Sequence, residues 1–237
     1  MNKKIVIANW KMHPQNYAEA EQLAFSAIET VKEQKNAKVI LCPPFVWLTD
    51  LSHKYKNDVS FGAQDVFWED RGAYTGEISP QMLSSSGVKY VIVGHSERRT
   101  LGETDEMINK KLKAALRNGL IPVLAVGEKD KGNGREEILS LQLKTDLDGV
   151  DSGNLIIAYE PVWAIGTGEA ETPEHTVEAV GIIKKIAGDI PILYGGSVDS
   201  RNAGDFVSRP EIAGVLVGGA SVDKGEFKKI IDIVSNA

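Results

Sequence analysis

A glutamate stands where an apolar segment of the chain ends and a proline begins the next segment. The run Leu155–Tyr159 has the composition of a buried strand, and Glu160 follows it directly, before Pro161. A carboxylate at this point is costly to bury unless it has a partner or a chemical role. The residue types therefore favour proton transfer, with Glu160 as a general base.

The residues that follow Glu160 have the composition of a lid over a reaction site. They begin with proline, which stiffens the backbone, continue with apolar side chains, and end with glycines, which permit unusual backbone angles. The predicted lid consists of Pro161, Val162, Trp163, Ala164, Ile165, Gly166, Thr167 and Gly168. A base under a lid that excludes water is an arrangement suited to moving protons.

A histidine ends the fourth predicted strand and begins a short polar segment, His95-Ser96-Glu97. A lone histidine is more often structural than catalytic, but its place at a strand end favours a chemical role. If Ser96 caps a helical turn, the positive end of that turn faces the imidazole and favours its neutral form. His95 is therefore a candidate hydrogen-bond donor.

Two glycine-rich turns follow the seventh and eighth predicted strands. The N–H groups of Gly195-Gly196-Ser197 and Gly218-Gly219 are unobstructed by side chains, so phosphate oxygens could approach them. A need for tight turns would also explain these glycines. Asn9 and Lys11 add polar groups after the first strand, although Lys11 alone could be a solvated charge.

The elements that must position these groups alternate along the chain. Eight short apolar runs predict strands, and continuous runs are typical of strands buried on both faces of a parallel sheet. They are Ile5–Ala8, Lys38–Cys42, Val59–Ala63, Tyr90–Gly94, Pro122–Val126, Leu155–Tyr159, Pro191–Tyr194 and Gly214–Val217. Helical periodicity and caps predict helices over Tyr17–Lys32, Phe45–Tyr55, Pro80–Ser86, Thr104–Asn118, Arg135–Asp146, Pro173–Ala187, Ser200–Ser208 and Lys224–Val234.

Eight strand–helix units in alternation predict an α/β fold, a single-domain (β/α)8 barrel over residues 1–237. An open doubly wound sheet is the alternative, but the first strand is not followed by the glycine pattern of dinucleotide-binding sheets. In a barrel the carboxyl ends of the strands share one face. The polar residues after strands 1, 4 and 6 are therefore expected to meet there, beside the glycine turns.

The composition of the 237-residue chain restricts its partners and location. The net charge of −6 argues against nucleic acid as the main partner, and 42 % hydrophobic residues is ordinary for a soluble protein. Cys42 is the only cysteine, which excludes an intrachain disulfide and a cysteine-based zinc site. No apolar run has transmembrane length, and the first residues do not resemble a secretory signal, so a cytoplasmic location is expected.

Five motifs, taken in chain order, resemble the triosephosphate isomerase family. They are Ala8–Lys11, Gly94–Arg99, Tyr159–Gly168, Tyr194–Ser197 and Leu216–Gly219, and the resemblance covers essentially the whole chain. It implies a TIM barrel that interconverts dihydroxyacetone phosphate and D-glyceraldehyde 3-phosphate through an enediolate, in glycolysis and gluconeogenesis. It implies no cofactor and no metal.

The resemblance also implies a role for each matching residue. Glu160 would carry the proton between two carbons and neutral His95 would polarise the carbonyl, roles already well known in this family. Lys11 would stabilise negative charge, held by Asn9 and by a hydrogen bond with Glu97. The remaining expected contacts are made by backbone N–H groups of Gly166, Ser197, Gly218 and Gly219 to phosphate, and by Tyr194 to the lid.

The longest predicted loop, residues 64–79, resembles the family segment that docks beside the active site of a second subunit. Thr75 at its tip would contact that site, which implies a homodimer. The chain departs from the family after the lid, where it reads Glu169-Ala170-Glu171 and a basic or neutral first residue is commoner. This departure bears on the lid and leaves every catalytic position occupied.

Two other functions are weighed against the isomerase. Another phosphate-binding barrel enzyme, such as a phosphoribosyl isomerase or an aldolase, is one. An aldolase would need a Schiff-base lysine inside the barrel, and no predicted strand interior contains one. A non-enzymatic relative kept for binding is the other, but the loss of Glu160, His95 or Lys11 that would favour it has not occurred.

Overall fold

The computed structural model describes residues 3–34, 36–132, 134–165 and 171–237. Its eight strands all pair in parallel with their sequence neighbours, and the last pairs with the first, which closes the barrel. They are β1 Lys4–Asn9, β2 Ala37–Cys42, β3 Ser60–Ala63, β4 Tyr90–Val93, β5 Ile121–Val126, β6 Ile156–Tyr159, β7 Ile192–Tyr194 and β8 Gly214–Val217. The predicted (β/α)8 barrel is confirmed, and the open-sheet alternative is excluded.

The helices within the described ranges surround the strands. They are α1 Tyr17–Glu33, α2 Phe45–Tyr55, α3 Pro80–Ser85, α4 Ser96–Thr100, α5 Asp105–Arg117, α6 Arg135–Asp146, α7 Pro173–Ala187, α8 Ala203–Val207 and α9 Lys224–Ser235. Short 3-10 helices occur at Ser152–Asn154, Val162–Ala164 and Gly219–Val222. In the part of the chain that the structure describes, no helix is long and apolar enough to cross a membrane.

Local signals set the bounds of α7 as the sequence predicts. The Thr172 side chain accepts a hydrogen bond from the N–H of His175, and Pro173 occupies the first turn, where its missing N–H is not needed. The helix ends at Gly188, whose φ of 84° is left-handed. Both signals act within one turn of the helix end, so the sequence alone is enough to predict where α7 begins and ends.

Two helices differ from the predictions. The eighth was predicted from Ser200 but begins at Ala203, because the Asn202 side chain accepts from the Asp199 N–H and holds the preceding residues in a turn. Helix α4 was not predicted as a helix because its five residues are too few to show periodicity. Both differences lie at the carboxyl face of the barrel, where side chains compete with backbone for hydrogen bonds.

Alternate residues of each strand contribute to two different apolar layers. In β1, Ile7 belongs to a cluster made up mainly of strand residues, which fills the barrel, together with Ile92 and Leu216. Its neighbours Val6 and Ala8 belong to the cluster between strands and helices. Both faces of each strand are therefore buried, which explains why the strands read as continuous apolar runs.

Candidate active site

Polar residues from three strand ends meet in one cavity of about 280 Å3 at the carboxyl face of the barrel. Asn9, Lys11, His95 and Glu160 line it, and the two glycine turns form another part of its wall. The closed barrel brings these groups together because parallel strands end on the same face. The expectation that they meet there is confirmed.

Glu160 is buried at the base of the cavity, with 2 % of its surface exposed. Its backbone N–H donates to the Val126 carbonyl at 2.8 Å, and its Oε2 accepts from the Ser96 N–H at 3.0 Å. Its Oε1 has no hydrogen-bond partner among the described residues, although it lies 3.3 Å from Nε2 of His95. One carboxylate oxygen is thus anchored and the other is available to accept a proton.

Two glycines make room for Glu160. A Cβ at position 127 would lie 1.7 Å from the Glu160 carbonyl oxygen, and one at position 195 would lie 3.0 Å from Glu160 Cγ. Any side chain at Gly127 would displace the backbone that carries the carboxylate. Close packing at these two glycines therefore fixes the position of the Glu160 backbone relative to the neighbouring strand ends.

His95 is itself the cap of helix α4. Its Nδ1 accepts a hydrogen bond from the Glu97 N–H at 3.2 Å, so the cap is His95 and not Ser96, the residue considered for that position from the sequence. Because Nδ1 is an acceptor, the proton of the neutral imidazole is on Nε2, the nitrogen nearest Glu160. The backbone N–H of Glu97 therefore makes Nε2 the donor atom of the neutral imidazole.

Lys11 and Glu97 form an ion pair at the cavity, with 2.6 Å between Nζ and Oε1. Lys11 has a left-handed φ of 53°, which costs a non-glycine residue about 1–3 kcal/mol. Its N–H donates to Asn9 Oδ1 at 3.0 Å, and its carbonyl accepts from Gln64 Nε2 at 2.8 Å. Asn9 therefore holds Lys11 as expected, whereas the sequence contains no local sign of the contribution from Gln64.

Two of the turn glycines are required because a side chain would not fit at their positions, and not only because the turns are tight. A Cβ at Gly196 would lie 2.4 Å from Tyr194 Oη, and one at Gly218 would lie 3.2 Å from Lys11 Cε. At Gly219 a Cβ would meet no described atom within 4 Å. Because neighbouring groups approach the first two positions closely while Gly219 faces open space, the turns leave an accessible backbone surface beside Lys11.

Two polar side chains that the sequence reasoning missed hold these turns in place. Asn202 donates from Nδ2 to the Ser197 carbonyl at 3.0 Å, and its Oδ1 accepts from the Asp199 N–H at 3.0 Å. Ser221 donates from Oγ to the Gly218 carbonyl at 2.7 Å. Both residues follow the turns by only a few positions, so side-chain hydrogen bonding within turns is the signal that could have found them.

Of the predicted lid, the structure describes Pro161–Ile165, while Gly166, Thr167 and Gly168 lie outside the described residues, as do Glu169 and Ala170. The Trp163 indole donates to Glu128 Oε1 at 3.3 Å. On the other side, the Glu171 N–H donates to Tyr194 Oη at 3.1 Å. Burial raises the pKa of Tyr194, so its hydroxyl stays protonated in neutral solution.

Comparison with known proteins gives consistent matches. The family model described as triosephosphate isomerase matches residues 4–234. The triosephosphate isomerase of Dictyoglomus thermophilum is 45 % identical over 248 residues, covering 98 % of this chain and 99 % of that protein. That of a Thermoanaerobacter species (strain X514) is 45 % identical over 250 residues, covering 98 % and 100 %. A crystal structure of triosephosphate isomerase from Bartonella henselae has a TM-score of 0.85 at 33 % identity, with 98 % of each chain covered.

Proposed function

This chain belongs to the triosephosphate isomerase family and interconverts dihydroxyacetone phosphate and D-glyceraldehyde 3-phosphate, a step of glycolysis, and we propose that Glu160 is its catalytic base. The proposal is carried by the Glu160 carboxylate, which is buried in the cavity with one oxygen anchored and Oε1 available. The roles proposed for the remaining groups rest on the family resemblance and on their place in the same cavity.

Glu160 removes a proton from the carbon that bears the hydroxyl of dihydroxyacetone phosphate. The electron pair of that C–H bond forms the carbon–carbon double bond of an enediolate, and the negative charge moves to the carbonyl oxygen. Glu160 then returns the proton to the neighbouring carbon, which produces the aldose. Burial suits this role because it keeps bulk water away from the carboxylate while the proton is transferred.

His95 and Lys11 stabilise the charge that develops on the substrate oxygens. The imidazole donates from Nε2 and moves a proton between the two oxygens, while Nδ1 stays bound to the Glu97 N–H. The Lys11 ammonium provides positive charge, and Asn9 and Glu97 keep it at the cavity. Fixed donors of this kind contribute most when water is excluded.

The phosphate group occupies the space beside the two glycine turns. Ser197, Gly218 and Gly219 supply backbone N–H groups, and Gly219 faces open space in the cavity that Lys11 also lines. Gly166 is expected to add a fourth N–H group by resemblance, and it lies outside the described residues. We assign no metal and no cofactor to the reaction.

A homodimer is the proposed assembly, supported by the distribution of exposed apolar side chains. Of the seven large apolar side chains that are exposed in the described part of the chain, six lie in the segments that follow strands β1 to β4: Met12, Phe25, Val46, Tyr74, Met82 and Leu101. Thr75 lies in the same exposed region, residues 71–77, and is proposed to reach the partner's site. Sedimentation should give twice the chain mass of 25.8 kDa, and a monomer at micromolar concentration would contradict the dimer.

The cellular location is proposed to be the cytoplasm. The single cysteine, Cys42, is buried and free, and burial strongly raises the pKa of its thiol, which keeps it unreactive. A protein that uses no disulfide is suited to a reducing compartment.

The test of the base is Glu160→Gln, assayed with glyceraldehyde 3-phosphate and a coupling dehydrogenase that reduces dihydroxyacetone phosphate. The amide keeps the shape of the side chain but cannot accept the proton, so we expect kcat to fall by about 100- to 10,000-fold. Circular dichroism of the variant should match the parent. Full activity in a folded variant would refute the assignment of Glu160.

A further inference from the structure

A buried charge network lies behind the proposed active site and takes no direct part in the mechanism. Arg135, the first residue of α6, donates from Nε to Glu128 Oε1 at 3.2 Å and from Nη2 to Glu171 Oε2 at 2.7 Å. The two carboxylates are 1 % and 4 % exposed. Two buried carboxylates at one place repel each other, and the guanidinium that contacts both offsets this repulsion.

The Glu128 side of this network holds the residues around the end of β6. Its Oε1 accepts from Tyr159 Oη at 2.8 Å and from Trp163 Nε1 at 3.3 Å, and its carbonyl accepts from the Val162 N–H at 2.9 Å. Tyr159 precedes the proposed base. The base itself is held separately, by the Val126 carbonyl and the Ser96 N–H.

The Glu171 side of the network holds the end of β7. Its carboxylate also accepts from the Thr172 N–H at 3.0 Å and lies 3.2 Å from His175 Nδ1, while its own N–H donates to Tyr194 Oη at 3.1 Å. The Tyr194 hydroxyl is in turn packed against Gly196 so closely that no Cβ fits between them. A displacement of Glu171 is therefore transmitted through Tyr194 to the glycine turn.

We propose that Arg135 is a positioning residue for phosphate binding, acting through Glu171 and Tyr194 on the Gly195-Gly196-Ser197 turn. This inference rests on the proposed phosphate-binding role of that turn. Arg135 holds Glu171 against Glu128, and the Glu171 N–H in turn fixes the Tyr194 hydroxyl beside the glycine turn.

Arginine is the one basic residue whose shape suits this position. It contacts Glu128 through Nε, Glu171 through Nη2 and the His175 carbonyl through Nη1, at 3.2, 2.7 and 3.2 Å. A lysine ammonium carries the charge at one point on a flexible stem and cannot reproduce a planar fork with three directions. Arg135→Lys is therefore expected to behave like a loss of the residue.

The experiment compares Arg135→Gln, Arg135→Lys, Glu171→Gln and the double variant Arg135→Gln/Glu171→Gln with the parent enzyme. Arg209→Gln is the matched control, because Arg209 also pairs with a carboxylate of α7, Glu174, but both are exposed. The measured quantities are kcat, KM, the competitive inhibition constant of inorganic phosphate, and the melting temperature. Inorganic phosphate reports on the turn without involving the proposed base.

A misplacement of about 1 Å in an active site can lower catalytic efficiency about 100-fold. We therefore expect a partial shift of the turn to raise KM and the phosphate inhibition constant in parallel by about tenfold. We expect kcat to stay within about twofold, because the anchors of Glu160 are not in the network. The double variant should be no worse than Arg135→Gln alone, since the two residues act through each other. The Arg209→Gln control should leave all constants unchanged.

A lower melting temperature with unchanged KM and inhibition constant would overturn the inference and leave Arg135 a structural residue. Additive effects in the double variant, or full rescue by lysine, would also overturn it. If Arg135→Gln does not fold, Glu171→Gln decides by the same constants, because it leaves Glu128 paired with Arg135 and no two buried carboxylates facing each other. Failure of phosphate to compete with substrate in the parent would overturn the phosphate site and this inference together, whereas competition unaffected by Arg135→Gln would overturn this inference alone.

Discussion

Oε1 of Glu160 lies 3.3 Å from Nε2 of His95, and both side chains are buried. The two residues are 65 positions apart in the sequence, and they follow different strands of the barrel, β6 and β4. Because Nδ1 of His95 accepts from the Glu97 N–H, Nε2 carries a proton and faces the oxygen proposed to accept one. A substrate bound beside this pair of atoms would contact a base and a hydrogen-bond donor at the same time.

The first prediction concerns the chemical role of His95. His95→Gln should lower kcat by about 100- to 1,000-fold with little change in KM, because one donor to the developing oxyanion is lost. Steady-state kinetics in both directions provides the measurement. His53→Gln, at an exposed position of α2, is the control and should be unchanged. A raised KM with normal kcat would assign His95 to binding instead.

The second prediction uses the open space at Gly219. Gly219→Ala adds a methyl group that meets no described atom within 4 Å, so thermal stability should stay close to that of the parent. The methyl group would occupy the surface proposed for the phosphate, and KM should therefore rise while the fold is kept. A normal KM in this variant would show that the phosphate does not approach Gly219.

The third prediction concerns stability and compares two glycine substitutions. Gly127→Ala would place a methyl group 1.7 Å from the Glu160 carbonyl oxygen, and the forced backbone shift should destabilise the protein by about 1–3 kcal/mol. Gly181→Ala lies within α7 with no described atom within 4 Å of the new group, and should stabilise by about 0.5–1 kcal/mol. Urea unfolding of both variants measures the difference. Equal effects would contradict the packing around Glu160.

The fourth prediction concerns pH and the buried carboxyl of Asp146. Burial raises its pKa from 3.8 to about 8, against the opposing attraction of Arg99, whose Nη2 lies 2.9 Å from Oδ2. The folded state then binds a proton that the unfolded state releases near its ordinary pKa. The contribution to stability is therefore fully present below pH 4 and is lost as pH rises toward 8.

Asp146→Asn isolates this contribution because asparagine does not titrate. The free energy of unfolding of the parent minus that of the variant should fall as pH rises from 4 to 8, while other carboxylates cancel in the difference. Urea unfolding across this pH range gives the values. A difference that grows with pH would show that the attraction of Arg99 outweighs burial.

The barrel and much of its site were accessible from local patterns. Strands β4, β5 and β8 were each predicted within one residue at either end, because continuous apolar runs reflect burial on both faces. The bounds of α7 were predicted by its own cap and terminal glycine. Glu160 was identified because a carboxylate at the end of an apolar run is costly without a role.

Other features depend on residues that are distant in the chain. The left-handed backbone of Lys11 is supported by Gln64, 53 positions later, and Arg135 meets Glu171 across 36 positions. A sequence pattern reports burial and local hydrogen bonding, which repeat with the period of a strand or a helix. The partners of a buried charge are chosen by the closure of the barrel, since only the three-dimensional packing decides which strand ends and helices lie within 3 Å of one another.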